Sequence, residues 1–342
     1  MGYSCLFYLF FELVFYFIER ISRLGNDSQT SFAKVFGIRF AVILACYLPY
    51  MIVMFPGHTS SDFIGELRQF YGAIPAGNHH PWFMTMLFGA LFQAGSFVVG
   101  SSQGGVFLVS FVQTVAMAST FAFFVALLSK AGCPRAVGLG LTAFFALCPI
   151  FPIYAQWCVK NTLSAIFLAH FAVQLTLRLL GSERIAPRYA SWPAVFFTAL
   201  VSALSRNDFI YIVIAFLVAA VILLKARQRV AVAVVTVAVA SLFILWSNVI
   251  LPAAGIASGN VREVLSLPLL QTTKCVAVHF DDLTEEEKGV LQEACSVPLS
   301  DLPDLYSSTV SDSVKSSYTF EEGELGDYFR AYLTMGLKYP DV

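Results

Sequence analysis

Charged residues are scarce in this chain. Of 342 residues only 13% are Asp, Glu, Lys or Arg, against about a quarter in an ordinary soluble domain, and 58% are hydrophobic. The mean hydropathy of +0.73 follows. Such a composition excludes a wholly soluble globular protein and places most of the chain in a membrane. A basic excess is also missing: 21 Lys and Arg against 22 Asp and Glu leave a net charge of −1. No positive field exists to collect nucleic-acid phosphates, so nucleic acid is set aside as a partner. Metal-binding and disulfide signatures are lacking too. The seven cysteines (Cys5, Cys46, Cys133, Cys148, Cys158, Cys275 and Cys295) form no CxxC pair and no Cys/His ligand spacing. Five of them lie in or beside apolar segments, where a thiol behaves as a small hydrophobe. Only Cys275 and Cys295 share a polar segment, and their pairing stays open should that segment face an oxidising compartment. No cofactor is implied, and a divalent metal has no motif to support it.

Long apolar runs are what the chain has instead. A spanning helix needs about 20 apolar residues, and residues 35–55, 105–128, 136–155, 161–180 and 230–251 supply them. Residues 189–224 are too long for one span and are broken by Arg206-Asn207-Asp208, which reads as two short spans with a polar tip. Residues 3–18 are apolar but hold Glu12 and lack a signal-peptide cleavage site, so they read as a further helix. In residues 81–100, Thr85, Gly89, Gln93 and Ser96 recur at helical spacing opposite Met84, Leu87, Phe88, Leu91 and Phe92.

The distribution of Lys and Arg decides whether that amphipathic stripe spans, because a span there inverts every later loop. If it lies in the interface, Lys130, Arg135, Arg178, Arg184, Arg188, Lys225, Arg227 and Arg229 are all cytoplasmic, while Lys160 and Arg206 in the later loops are outside. If it spans, the ratio reverses, against the rule. The expected fold is therefore an all-α polytopic membrane protein with about seven to eight transmembrane helices and an interfacial helix in the first external loop. Residues 1–34 form an N-terminal helix and cytoplasmic loop, 35–251 the membrane domain with external loop 56–104, and 252–342 a small, mainly helical extracytoplasmic domain. The charge balance marks the joint: residues 1–250 hold 15 Lys and Arg and 7 Asp and Glu, whereas residues 251–342 hold 6 and 15.

Three polar features then share the outer face: the loop 56–104, the turn 156–161 and the Arg206-Asn207-Asp208 tip. The two charges that break the positive-inside pattern, Lys160 and Arg206, lie on the side of the loop carboxylates Asp62 and Glu66. Polar groups gathered from distant segments at a membrane boundary point to a site. The loop reads Ser60-Ser61-Asp62, Glu66-Leu67-Arg68, then Asn78-His79-His80-Pro81-Trp82.

A carboxylate a few residues beyond the first span, followed by an Asn-His-His-Pro segment leading into an amphipathic helix, resembles the GT-C superfamily of integral-membrane glycosyltransferases. Within it, the chain is most similar to a bacterial polytopic membrane family of unknown function. The similarity extends through Lys160-Asn161, Arg206-Asn207-Asp208, Arg262-Glu263 with Ser266, Pro268 and Gln271, and Ser311-Asp312 with Lys315. The resemblance implies a multi-pass protein of the bacterial cell membrane. Such a protein moves a sugar from a polyprenyl-phosphate donor to a cell-envelope glycan or protein acceptor on the outer side. Asp62 matches the catalytic carboxylate of the first loop and is expected to act as general base. Lys160, Arg206 and Arg68 are expected to bind the donor phosphate, and His79, His80, Glu66 and Asp208 to contact substrate. Relatives of this type carry further membrane helices, so a truncated chain is expected. A transporter or flippase of lipid-linked sugars, or a non-catalytic truncated membrane protein, are the alternative readings.

Each residue also has a plain structural use. Asp62 is suited to capping the helix that starts near Phe63, Glu66 to facing water, and His79 and His80 to a turn. Lys160 can snorkel to lipid phosphate, Arg206 can pair with Asp208, and His170 suits a helix–helix contact. In the polar tail, Thr284-Glu285-Glu286-Glu287 is a capping box that starts a helix toward Cys295. Leu325, Phe329, Tyr332 and Leu333 predict a second helix ending near Gly336, with loops around Pro298, Pro303 and residues 307–317. The tail reads as a lid or an acceptor platform.

Overall fold

A computed structural model describes residues 31–342, except 260–261, 263–264, 309–310, 321–323 and 341–342. The expected helix at 3–18, Glu263 and the side chain of Arg227 lie outside the described residues. The chain divides into two compact units, Met1–Ala257 and Ser258–Val342.

The first unit is a helical bundle. Its order is α1 (Phe32–Val53), β1 (His58–Thr59), α2 (Ser61–Phe70), α3 (Trp82–Val99), α4 (Ser102–Lys130), α5 (Arg135–Leu147), α6 (Ile150–Gln156), β2 (Trp157–Cys158), α7 (Lys160–Leu179), α8 (Trp192–Ser205), α9 (Phe209–Leu223) and α10 (Ala226–Leu245). The last helix runs on through a π turn, Trp246–Ile250, into Leu251–Ala253. This continuation moves the joint between the units a few residues beyond the expected Leu251.

Among the described residues, five helices are long and apolar enough to cross a membrane: α1, α3, α4, α7 and the α10 run. A sixth arises if α5 and α6 count as one span, although they are bent by 49°. The expected single span 136–155 is thus broken, and Pro149 is the reason. Proline disfavours the helical conformation at the residue before it, and Cys148 is extended, with φ −71° and ψ 115°. Helices α8 and α9 are shorter, 14 and 15 residues, and part at Arg206 and Asp208 as the sequence leads one to expect. The molecule is a polytopic, almost wholly helical membrane protein.

Side-chain levels fix how the helices run. Phe32 at the start of α1 stacks edge-on against Phe123, Tyr47 packs near Ala118, and Pro56 beyond its end accepts a hydrogen bond from Ser110. Helix α1 is therefore antiparallel to α4. Helix α3 starts beside Cys158 and Leu163, where Met84 and Phe88 join a cluster with Phe63 and Val109. Its last turns pack against the first turns of α4. Glycine makes this hairpin close: a Cβ on Gly95 would stand 2.3 Å from the Gly104 carbonyl oxygen.

The second unit has its own core. Helices α11 (Ser266–His279), α12 (Glu285–Glu293), α13 (Leu302–Leu305), α14 (Asp312–Ser316) and α15 (Glu324–Lys338) bury Leu269, Val276, Leu291, Leu302, Val314 and Met335. The hydroxyls of buried Tyr318 and Tyr328 meet Thr273 at 3.1 Å and Thr272 at 3.0 Å, so these polar atoms enter the core in satisfied pairs. The capping box forms as its spacing suggests: Glu287 donates its N–H to Thr284 Oγ1 (3.2 Å), and Thr284 N–H reaches Glu287 Oε2 (2.8 Å). Helix α15 runs past Gly336 to Lys338, and two short helices replace the expected loops. Cys275 and Cys295 are both buried, and no disulfide joins them.

Candidate functional site

The polar residues of the first unit are brought together by a short run of unusual backbone. Gly57, at φ +119°, turns the chain leaving α1 against α4, where a Cβ would lie 2.9 Å from Ser110 Cβ. Only glycine takes that turn without strain. The next two residues form β1 and pair in parallel with β2, His58 opposite Trp157 and Thr59 opposite Cys158. Buried Gln113 holds β2 from below, donating through Nε2 to the Ala155 and Trp157 carbonyls at 3.2 and 2.8 Å. Ser60 closes the junction: its hydroxyl donates to the Cys158 carbonyl (3.2 Å) and accepts from Phe63 N–H (3.1 Å) as the N-cap of α2.

This pairing sets the first turn of α2 beside the first residue of α7. Lys160 Nζ donates to Asp62 Oδ2 at 3.1 Å and lies 2.8 Å from His80 Nδ1. His80 Nδ1 is 3.9 Å from Asp62 Oδ2, and Glu66 Oε1 is 3.9 Å from the same ammonium. The cation among these three side chains is Lys160 itself; among the described residues no three His, Cys, Asp or Glu side chains converge to hold a metal ion. His80 is positioned by the turn before α3, where Asn78 Oδ1 accepts from Trp82 N–H (2.9 Å). Asn207 steadies that turn by donating to the Asn78 and His79 carbonyls at 2.8 and 3.4 Å. The His79 ring lies 4.5 Å from that of His80.

Arg206 stands at the end of α8. It forks onto Asp208, with Nε to Oδ1 at 2.8 Å and Nη2 to Oδ2 at 3.1 Å, and its Nη1 donates to Asn161 Oδ1 at 2.9 Å. Asn161 follows Lys160, so the two cationic side chains are tied to neighbouring residues of α7.

The two carboxylates of α2 are placed one turn apart and behave differently. Burial pushes the Asp62 carboxyl up. The Lys160 charge and hydrogen bond, with lesser help from His80 and His79, outweigh it and hold Asp62 below the usual carboxylate range. Glu66 is only 1% exposed, and burial pushes it up to about 7, Lys160 pulling down and Asp62 adding to the rise. Neighbouring acids of opposite protonation are the arrangement from which acid–base chemistry is built.

Of the residues singled out from sequence, Asp62, Glu66, His80 and Lys160 meet directly, with His79 adjacent and Arg206 and Asp208 joined through Asn161. Two depart from expectation. Arg68 is exposed two residues past Glu66, about 200° round the helix, and makes no hydrogen bond or ion pair with the cluster among the described residues. Glu66, expected to face water or substrate, is buried within 3.9 Å of the Lys160 ammonium. Helix capping belongs to Ser60 rather than Asp62. Gln113 escaped the sequence reading, and Asn78, Asn161 and Asn207 stood in the quoted motifs without a role of their own, since neutral amides stand out in no charge count.

No curated protein and no solved structure matches the chain. Residues 75–342 match the model of DUF6020, described as a family of unknown function; the matched range includes His79, His80, Lys160, Arg206 and Asp208 and begins after Asp62, Glu66 and Arg68. The chain belongs to the DUF6020 family.

Proposed function

We propose that the protein is a GT-C-type membrane glycosyltransferase that moves a sugar from a polyprenyl-phosphate donor to an acceptor on the outer face, with Asp62 as general base. The observation that supports this reading is the meeting of Asp62, His80 and Lys160 within hydrogen-bonding range, from positions 98 and 80 residues apart in the chain. An exposed ion pair adds at most about 1 kcal/mol to a fold, so stability alone is a weak reason to gather these groups. Their chemistry is complementary. As the acceptor oxygen bonds to the anomeric carbon, its proton passes to Asp62. The bond from that carbon to the lipid phosphate breaks, and its electron pair leaves on the phosphate oxygen. Lys160 and Arg206 offset the charge that develops there. Arrival of the donor phosphate draws Lys160 away from Asp62 and makes the carboxylate a stronger base when the acceptor is in place.

In this reading α3 lies in the interface rather than crossing, as the distribution of Lys and Arg along the chain favours. That keeps the eight basic residues of the later loops inside, and the site and the C-terminal unit outside. The deciding assay is transfer of labelled sugar from a polyprenyl-phosphate donor in reconstituted membranes. Asp62→Asn keeps the shape and removes the base, so the rate is expected to fall about 10²- to 10⁴-fold. Undiminished transfer would end the catalytic assignment.

A lipid-linked sugar transporter is the second reading, favoured by the 49° break between α5 and α6 and by the π turn at Trp246–Ile250. Broken membrane helices are common in transport proteins. Movement of labelled lipid-linked sugar across the bilayer, without transfer, would select it.

A further inference from the structure

The mechanism leaves Glu66 without a role. Glu66 is buried at the floor of the site, and its Oε1 is 3.9 Å from Lys160 Nζ with no hydrogen-bond partner among the described residues. A buried ionised carboxylate without hydrogen bonds is costly, whereas a neutral acid in the same place is tolerated. We propose that Glu66 is a proton-holding positioning residue, which as a neutral acid leaves Lys160 a single anionic partner and so lets the site take up a phosphodiester anion. This rests on the lipid-phosphate reading above and adds its regulation: one proton on Glu66 gates the site.

The charge count makes the case. The groups that face Glu66 are Lys160 from α7 and Asp62 from its own helix, while His80, on the turn before α3, faces the same ammonium. With Glu66 neutral, Asp62 and Lys160 cancel, and an incoming anion displaces one carboxylate from one ammonium. With Glu66 ionised, two carboxylates compete with the anion for that ammonium, and the site is net negative. Burial places the changeover near neutrality, since the Glu66 acid is pushed up to about 7. The sign is therefore definite: anion binding is strongest below neutral pH and weakens as Glu66 loses its proton. For one linked proton the limiting slope is about tenfold in affinity per pH unit.

The probe is a short-chain prenyl phosphodiester, whose single charge does not titrate between pH 6 and 9, bound to the full chain in lipid nanodiscs. Wild type is expected to lose at least tenfold in affinity from pH 6 to pH 9, E66Q to show no such fall, and K160A to bind poorly throughout. A flat wild-type profile, or an E66Q profile as steep as wild type, overturns the gate. The proton is read separately from the infrared carbonyl band of a neutral carboxylic acid, present at pH 6 and lost by pH 9 in wild type and missing from E66Q. Absence of that band in wild type overturns the proposal whatever E66Q does, including failure to fold. A titrating band with no phosphodiester binding at any pH overturns the gate together with the lipid-phosphate reading, whereas a titrating band with pH-independent binding overturns the gate and leaves that reading standing.

Discussion

Asp62 and Glu66 share a helix, a face and a cation, yet burial separates their chemistry. The side chain of Asp62 is 54% exposed and reaches Lys160 directly, whereas Glu66 is enclosed. Their effects on stability run in opposite senses. Glu66 has a folded-state pKa raised from the ordinary 4.5 to about 7. Its neutral form favours the fold fully below about pH 4.5, and that contribution is lost as pH rises through 7. The shift corresponds to something of order 3 kcal/mol at about 1.4 kcal/mol per pH unit. Asp62 is held below its ordinary value, so its smaller contribution is present above the unfolded-state pKa and lost as pH falls through the folded one. Thermal unfolding in detergent is expected to show a midpoint that declines from pH 5 to pH 8 in wild type, with a flatter profile for Glu66→Gln. An unchanged slope in that variant would mean that Glu66 is ionised throughout. Asp62→Asn offers the complementary contrast: the Asp62–Lys160 ion pair is exposed and weak, so the midpoint is expected to move little while transfer is lost.

At the scale of elements, the α3–α4 hairpin shapes the site, since Met84 and Phe88 of α3 pack against Phe63 of α2 and Trp82 closes the turn that holds His80. Its closeness depends on residues without side chains. Gly95 and Gly104 oppose each other with a would-be Cβ 2.3 Å from backbone oxygen, an obstacle that no rotamer change relieves. Gly95→Leu is expected to destabilise the protein by about 1–3 kcal/mol or more through overpacking. Gly140→Ala, whose added carbon meets nothing within 4 Å in α5, is the control and is expected to be neutral or slightly stabilising. Equal unfolding midpoints for the two variants would show that the hairpin is looser than its glycines indicate. The elements also show how far sequence reasoning reaches. The helix in 81–100 and the break at Arg206 to Asp208 were legible because periodicity and charge are local properties, but the polar stripe was not a face apart: Thr85 and Gly89 are buried beside Met84 and Phe88. The bend at Pro149 was equally local and was passed over because the apolar run continued through it. Helix α11, the centre of the second unit, went unread because its mixture of Leu, Thr, Gln and Val has neither a polar face nor a capping motif.

For the whole molecule, the expected orientation is tested by labelling with a membrane-impermeant thiol reagent in intact cells. With the native cysteines replaced, a probe at Ser102 or Ser307 is expected to react from outside, and one at Gln228 only after the membrane is opened. Reaction at Gln228 from outside would invert the topology and with it the face on which the site is placed. Composition alone determined that the chain belongs in a membrane. The alternation of apolar runs and basic loops determined which polar residues share one end of the bundle, because a chain that crosses must return and each crossing changes the side. Asp62, His80, Lys160 and Arg206 were assigned to one end on that ground. Tertiary structure decided which of them touch. The two-residue β1–β2 pairing, the Gly57 turn and the support from Gln113 set Lys160 at 3.1 Å from Asp62, and the packing of α2 into the bundle buried Glu66 and left Arg68 outside. Those outcomes depend on the lateral order of helices and on pairing between distant segments, for which neither periodicity nor charge along the chain holds a signal.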